Sequence, residues 1–503
     1  MKYIDAFLDR ITMYRLLLYY LIVLLAAAML LGAFGLLSYT PLAVSLEALY
    51  LVAVCWAVNR VFAYVWNVPH NPESSLITAL ILALIITPTV SGNNFLFLTA
   101  AGGLAIASKY LLNIRGKHIF NPAAIAVVLT AFGAGESASW WVGNAYLMPI
   151  VILGGLLLVR KIRRFEMVRL FFFSALVFVG LFVMLNHGDV LVTFQNVALH
   201  SSLFFLAFVM LTEPMTSPGQ ASMQRWYAVL VGALFPAQLH IGTINSTPEL
   251  ALVVGNVFAY IVSPKAKPFL KLKEKIKIGP TTYDFVFTPT RRLKFKPGQY
   301  MEFTLGHHEP DNRGVRRYFT LASSPTESDV HLGIRFYNPG SSFKQAMLDM
   351  DENVPVLAAQ LSGDFTLPKD TEQPVVLIAG GIGVTPFRSM LKYLVDKGES
   401  RPVTLLYSER NASEVAYKDV LAAARQAGIN VICTLTDKDA SIPPGYRAGM
   451  IDADLIRSTA KDLHHTLYYV SGPHLMVNAL RRTLLDVGVP EHMIKVDFFP
   501  GYA

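Results

Sequence analysis

Cysteine is almost missing: Cys55, in an apolar run, and Cys433, in a polar half far away, are the only two in 503 residues. That excludes a disulfide framework and a cysteine-based metal motif, so no metal site is read here, and it is compatible with a reducing compartment for the polar half. Charge is scarce too, at 16% of residues against 53% hydrophobic, with a mean hydropathy of +0.44, which excludes an ordinary soluble chain. The net charge of +8 does not point to nucleic acid, because the basic residues flank apolar segments. The N-terminal apolar run, about Met13 to Leu37, lacks a small-residue cleavage site and reads as a retained span. The Gly-rich turns do not follow the GxGxxG pattern. No cysteine cluster follows the C-terminal half, which excludes a fused plant-type ferredoxin module.

Apolar windows near 13–37, 43–66, 74–90, 95–113, 119–134, 140–159, 168–186, 192–212, 224–242 and 248–263 predict about ten helical spans, the third and fifth short. With a cytoplasmic N-terminus, loops bearing Lys109, Arg115 and Lys117, then Arg160, Lys161, Arg163 and Arg164, then Arg225 fall inside. The chain then returns inside at Lys265, Lys267, Lys271, Lys273 and Lys275, a multi-pass cell (inner) membrane protein with both termini cytoplasmic. From about Leu270 the texture changes to strands such as Tyr283–Phe287 and Tyr300–Thr304 between Pro and Gly turns, a small antiparallel barrel. After Pro374, strand, helix and strand alternate through Val375–Ile378, Pro386–Asp396, Val403–Tyr407 and Tyr468–Ser471, which predicts a doubly wound parallel sheet. The expected organisation is thus a polytopic α-helical membrane domain (1–265), an antiparallel β-barrel domain (266–370) and an α/β domain (371–503).

Three segments of the polar half carry chemistry. The first is Phe295-Lys296-Pro297-Gly298-Gln299-Tyr300, followed by Arg317-Tyr318-Phe319-Thr320 and by Gly340-Ser341-Ser342 at the start of a helix. An arginine suits the two-pronged bonding of a pyrophosphate, an aromatic ring suits a flavin face, and helix-start amides favour anions. The second is Gly380-Gly381-Ile382-Gly383-Val384-Thr385-Pro386, directly between a buried strand and a helix, where backbone can approach a pyrophosphate. The third is Ser471-Gly472-Pro473, ending another apolar strand, with Tyr502 next to the last residue. Ser408-Glu409-Arg410 offers both signs of charge: Arg410 suits a 2′-phosphate and Glu409 a ribose hydroxyl, so NADH and NADPH both stay open.

In this order and spacing the segments resemble the ferredoxin-NADP reductase family over about 270–503. The resemblance implies FAD as cofactor and NADH or NADPH as substrate. Arg317 would hold the FAD pyrophosphate, with Tyr318 beside it; Phe319 would stack on the isoalloxazine and Thr320 lie near its reactive nitrogen. Gly340, Ser341 and Ser342 would cap the pyrophosphate. Gly380, Gly381, Gly383, Thr385, Pro386, Gly472 and Pro473 would line the nicotinamide path, Ser471 would lie beside the transferring carbon, and Tyr502 would cover the other flavin face. The family often has tyrosine where this chain has Phe319 and cysteine where it has Ser471.

The apolar half is polar in three places: Glu73-Ser74-Ser75-Leu76-Ile77-Thr78, Asn121-Pro122-Ala123, and Thr212-Glu213-Pro214-Met215-Thr216-Ser217-Pro218. Proline beside hydroxyl residues at membrane depth suits broken helices that line a cavity. These segments resemble the membrane subunits of the sodium-pumping NADH:quinone reductase and of the Rnf complex (RnfD-like), over about 10–265. That resemblance implies a riboflavin or FMN pocket near Ser75, Thr78, Asn121, Glu213 and Thr216. The string Glu136-Ser137-Ala138-Ser139-Trp140 is the nearest to the family's covalent flavin motif and lacks its threonine. His118, His187, His200 and His240 keep haem as the competing cofactor. The implied function is hydride transfer from NAD(P)H to FAD and electron delivery to a membrane flavin or quinone; the alternative is a redox-linked ion pump or transporter.

Overall fold

A computed structural model describes residues 4, 7–8, 11–66, 72–89, 92–114, 117–236, 240–241, 244–263, 268–311, 314–337, 340–437, 442–460 and 462–499. The chain divides into two compact units, Met1–Ala266 and Lys267–Ala503.

The first unit is helical: α1 (Met13–Ala33), α2 (Pro41–Val65), α3 (Pro72–Ile85), α4 (Gly92–Leu111), α5 (Pro122–Ala134), α6 (Met148–Ile162), α7 (Phe165–Leu185), α8 (Val190–His200), α9 (Ala221–Leu234) and α10 (Pro248–Val262). Local chemistry sets their starts. Thr12, Thr40, Asn121 and Thr247 accept from the amide three residues on, and Pro41, Pro122 and Pro248 occupy first-turn positions where no amide is missed. Helices fall in each apolar window, but the expectation of about ten spans is corrected. Among the described residues, only α1, α2 and α7 are long and apolar enough to cross a membrane, with α8 and the segment Leu203–Met210, bent by 62°, as a fourth when taken together. Helices of 13–15 residues reach only about 20–22 Å, short of the roughly 30 Å hydrocarbon thickness. The windows 74–90, 119–134 and 248–263 are themselves short, and the helices in them run only Pro72–Ile85, Pro122–Ala134 and Pro248–Val262.

The basic residues expected in loops are also partly elsewhere. Lys109 lies in the last turn of α4 and Arg164 is buried, while Arg225 is exposed and pairs with Glu166 at 2.9 Å. Arg115, Lys265 and Lys267 lie outside the described residues.

The second unit begins with six antiparallel strands: β1 (Phe269–Lys277), β2 (Thr282–Pro289), β3 (Tyr300–Thr304), β4 (Arg316–Thr320), β5 (Val330–Arg335) and β6 (Val356–Ser362), in the order β4-β3-β6-β1-β2-β5. Alternate residues (Phe285, Phe287, Met301, Phe303, Leu332, Ile334) point into one core, which helix α11 (Ser342–Asp349) closes with Phe343 and Met347.

Next comes a six-stranded parallel sheet: β7 (Val375–Gly380), β8 (Val403–Glu409), β9 (Asn430–Leu435), β10 (Tyr446–Ala448), β11 (Leu467–Pro473) and β12 (Ile494–Phe499), in the order β10-β9-β8-β7-β11-β12. β7 is buried along its whole length, as a central parallel strand must be. Cores lie on both faces: α12 (Thr385–Lys397) and α13 (Lys418–Gln426) cover one, α14 (Ala453–Thr459) and α15 (His474–Asp486) the other.

Barrel and sheet meet closely. Arg388 on α12 pairs with Glu327 and donates to the Ala322 carbonyl at 3.0 Å, and Ser389 donates to the Ser323 carbonyl at 2.6 Å. Gly298, in the Pro-Gly turn before β3, has φ +91°, and a Cβ there would run into the Phe365 carbonyl and the Met390 methyl, the latter at 2.6 Å. A Gly298→Ala chain should lose about 1–2 kcal/mol from backbone conformation alone. Full-length protein would show this as a lowered unfolding temperature of the C-terminal unit; an unchanged temperature would contradict it.

Candidate functional site

The parallel sheet reverses its winding between β7 and β11. β8 lies on one side of β7 and β11 on the other, and in open α/β sheets ligands bind beyond the strand carboxyl ends at such a point. β7 ends in Gly380, a single 3₁₀ turn (Gly381–Val384) follows, and α12 starts at Thr385 with Pro386 in its first turn. Gly381 has φ +57°. A Cβ on Gly383 would collide with the Ser471 carbonyl and stand 2.6 Å from Gly472 Cα. One on Gly472 would stand 3.0 Å from the Gly380 carbonyl oxygen. The turn and the end of β11 are therefore pressed together backbone to backbone, which Gly383 and Gly472 permit.

Ser471, fully buried at that junction, has a hydroxyl with no hydrogen-bond partner among the described residues. An unsatisfied buried hydroxyl is costly, and a polar ligand at the strand ends would relieve it. Thr385 is buried and spends its hydroxyl on the Ile382 carbonyl at 3.1 Å, while Pro473 is exposed at the start of α15. Tyr502 lies outside the described residues.

On the barrel, β4 presents Arg317. Its guanidinium donates to Asp311 Oδ1 at 3.0 Å and to the carbonyls of Gly314 and Arg316, and lies 5.2 Å from the Phe343 ring centre. Asp311 in turn donates its amide to Ser342 Oγ at 2.9 Å, so the arginine is anchored beside the start of α11. Ser341 caps that helix by accepting the Lys344 amide at 3.2 Å, and Ser342 also meets His307 at 3.0 Å. Both hydroxyls are engaged by protein, and helix-start amides are the groups left for an anion; Gly340 precedes them, exposed.

Of the two rings on β4, Tyr318 is exposed, its hydroxyl 2.8 Å from Gln360 Oε1, while Phe319 is half-buried between Phe303 and Phe343, each 5.9 Å away. Thr320 is buried. These residues fit a dinucleotide flavin on the barrel, with an arginine and a helix start for its pyrophosphate and aromatic rings alongside.

The charged pair after Tyr407 is arranged otherwise than its sequence suggests. Glu409, read as a ribose ligand, is buried and accepts from Arg335 Nη2 at 2.5 Å and from the Tyr407 hydroxyl at 3.2 Å. Burial pushes its carboxyl above the usual range, against the pull of Arg335. Arg410 is largely exposed. Sequence reasoning missed Arg335, and also Tyr417 and Asp284, which join sheet to barrel by a 3.2 Å hydrogen bond. The only signal was Arg335 at the end of an alternating strand, which reads as solvated.

In the helical unit, Glu213 Oε2 accepts from Asn121 Nδ2 at 2.8 Å and from Thr216 Oγ1 at 2.9 Å. Asn256 extends this cluster to the Asn121 amide, the Thr216 carbonyl and the Tyr227 hydroxyl. Thr78 belongs to a neighbouring group, in which the Lys109 ammonium donates to Thr78 Oγ1 at 2.8 Å and to Ser74. Lys109 and Glu213 are near enough to interact through charge. Ser75 is buried on the same helix as Thr78. Arg164 donates to the Thr212 carbonyl at 3.1 Å and to Ser217. Lys109, Asn256, Tyr227 and Arg164 were not singled out from sequence for this site; a charge inside an apolar run was the available signal.

The family described as Oxidoreductase NAD-binding domain matches residues 377–482. A flavohemoprotein of Halalkalibacterium halodurans is 28% identical over 218 residues, 41% of this chain and 52% of that protein. The reductase component 1 of a terephthalate 1,2-dioxygenase from Comamonas sp is 26% identical over 212 residues, 42% of this chain and 60% of that protein. The reductase component of a propane 2-monooxygenase from Mycolicibacterium goodii is 30% identical over 246 residues, 47% of this chain and 65% of that protein. The chain thus spans between half and two thirds of the length of these relatives. Residues 377–482 match an oxidoreductase NAD-binding domain, and the C-terminal unit, similar in sequence to these reductases, is one that binds FAD and NAD(P)H.

Proposed function

We propose that this chain is a membrane-bound NAD(P)H-dependent oxidoreductase that takes hydride at its C-terminal unit and delivers electrons to an acceptor, a flavin or a quinone, at its helical unit. The observation that carries the reading is the pairing, within one compact unit, of an arginine anchored at a helix start with a glycine turn packed against the β11 backbone at Ser471, whose buried hydroxyl has no hydrogen-bond partner among the described residues. When bound, FAD accepts a hydride and releases electrons singly. The chain's residues supply position: Arg317 and the start of α11 hold a pyrophosphate, the turn at Gly381–Val384 admits the nucleotide backbone, and Ser471 gives its hydroxyl to the nicotinamide side. Alignment of this kind is the main rate contribution expected of such a site. The relatives named as reductase components support transfer onward to another centre.

For the helical unit, the RnfD-like resemblance supports a flavin or quinone near Asn121, Glu213 and Thr216. Exposed apolar side chains such as Leu30, Leu49, Phe173 and Leu181 on its long helices support a location in the cell membrane. Four crossings, counting the bent pair, would return the chain to its starting side, with both termini cytoplasmic. The charges held inside this unit, Arg164 buried and Lys109 and Glu213 half-buried, favour a second reading, redox-driven ion movement through this unit.

Detergent-purified protein should contain FAD that is bleached by a nicotinamide nucleotide without air. A second flavin per chain, bleached in turn, would support the internal relay, and ion uptake into proteoliposomes on nucleotide addition would support pumping. Protein that binds flavin but is bleached by neither NADH nor NADPH would overturn the reading.

A further inference from the structure

Glu409 and Arg410, neighbours at the carboxyl end of β8, face opposite fates. Glu409 is held inside by Arg335 at 2.5 Å, and the same guanidinium reaches Glu414 Oε2 at 3.3 Å. Arg335 belongs to the barrel strand β5, so the clamp crosses from barrel to sheet. It also lies against the glycine turn: a Cβ on Gly381 would stand 2.9 Å from Arg335 Nη1 and 4.0 Å from Glu409 Oε1. Arg410 keeps 80% of its side chain exposed, its ion pair with Asp437 stretched to 3.8 Å.

At the end of a strand in a nucleotide-binding sheet, a carboxylate bonds a ribose 2′-hydroxyl and repels a 2′-phosphate, whereas an arginine accommodates the phosphate. Discrimination between two such ligands needs the repulsive element as much as the attractive one. Here the repulsive element is present in sequence and disabled in structure.

Resting on the proposed oxidation of a nicotinamide nucleotide, the geometry points to Arg335 as the residue that sets nucleotide choice. By neutralising and withdrawing Glu409 it leaves Arg410 as the group offered to a 2′-phosphate, and NADPH is the preferred reductant. Arg335 acts through Glu409 and is a positioning residue; it need not touch the nucleotide.

The test is anaerobic flavin reduction by NADPH and by NADH in full-length, FAD-loaded protein, compared as kcat/KM. Wild type should favour NADPH. Arg335→Met frees an uncompensated carboxylate, and the NADPH to NADH ratio should fall at least about tenfold, mainly through KM for NADPH. Removing one partner of a buried pair is also destabilising, so the double variant Arg335→Met with Glu409→Gln is included: it removes both charges and should restore the wild-type ratio. A merely structural role predicts equal losses with both nucleotides and no restoration, which would overturn the inference, as would a wild type that favours NADH. Loss of bleaching by both nucleotides in the wild type would instead strike the underlying reading, and this inference with it.

Discussion

A Gly383→Ala chain is expected to keep its FAD and to lose flavin reduction by NAD(P)H by about two orders of magnitude. The added methyl has nowhere to go. Its nearest neighbours are the Ser471 carbonyl and the backbone of Gly472, at 2.6 Å to Cα and N, and ordinary contact for a carbon begins near 3.4 Å. No flexible side chain stands in between, so the 3₁₀ turn and the end of β11 must separate by roughly 1 Å, and a misplacement of that size is enough to cost about 100-fold in rate where reacting atoms must be aligned. Flavin retention is expected because Arg317, Phe319 and the start of α11 belong to the barrel and not to this turn. The check is rapid anaerobic mixing with NADPH and NADH together with a flavin count per chain. A wild-type rate of bleaching would show that the close apposition of turn and strand has no part in hydride transfer. Loss of flavin along with activity would mean that the damage had spread to the barrel.

The legibility of this site in the sequence follows the range of the interactions that make it. β7 was readable because a central parallel strand is an unbroken apolar run, Val375–Ala379, and the turn after it because glycine adopts φ +57° at Gly381 without strain and leaves room for the backbone contact at Gly383. Both signals are local. The choice between Glu409 and Arg410 stayed open because what decides the place of Glu409 is Arg335, a residue 74 positions earlier on another sheet. Nothing in Ser408-Glu409-Arg410 says that one charge is buried and the other free. The helical unit was misread for another reason. Hydropathy windows register apolar content, which is present, but crossing is set by helix length, and the helices that start at Asn121-Pro122 and Thr247-Pro248 run for only 13 and 15 residues. Lys109 was assigned to a loop by the positive-inside reading, although its ammonium is held by Ser74 and Thr78 on α3. For Glu409 and Lys109 the missing information is a partner distant in sequence, whereas for the spans it is the local length of the helix.

Arg317→Ala should raise the dissociation constant for FAD by roughly 10- to 150-fold, the equivalent of about 1.5–3 kcal/mol for a hydrogen bond to a charged group. Three contacts already fix the guanidinium, to Asp311 and to the carbonyls of Gly314 and Arg316, so little further side-chain entropy is lost when an anion arrives. It also stands beside the first turn of α11, whose backbone dipole favours negative charge at the same place. Truncation removes the fixed positive charge and its ion pair with Asp311, and so turns the local field against a pyrophosphate. Arg317→Lys should recover only part of the affinity, because an ammonium keeps the charge but not the planar two-pronged geometry. Titration of flavin-free protein with FAD, followed by fluorescence quenching, measures all three chains on one scale. Equal affinity in wild type and Arg317→Ala would move the pyrophosphate away from β4; equal loss in Arg317→Ala and Arg317→Lys would show that bonding geometry, not charge, is what the flavin reads.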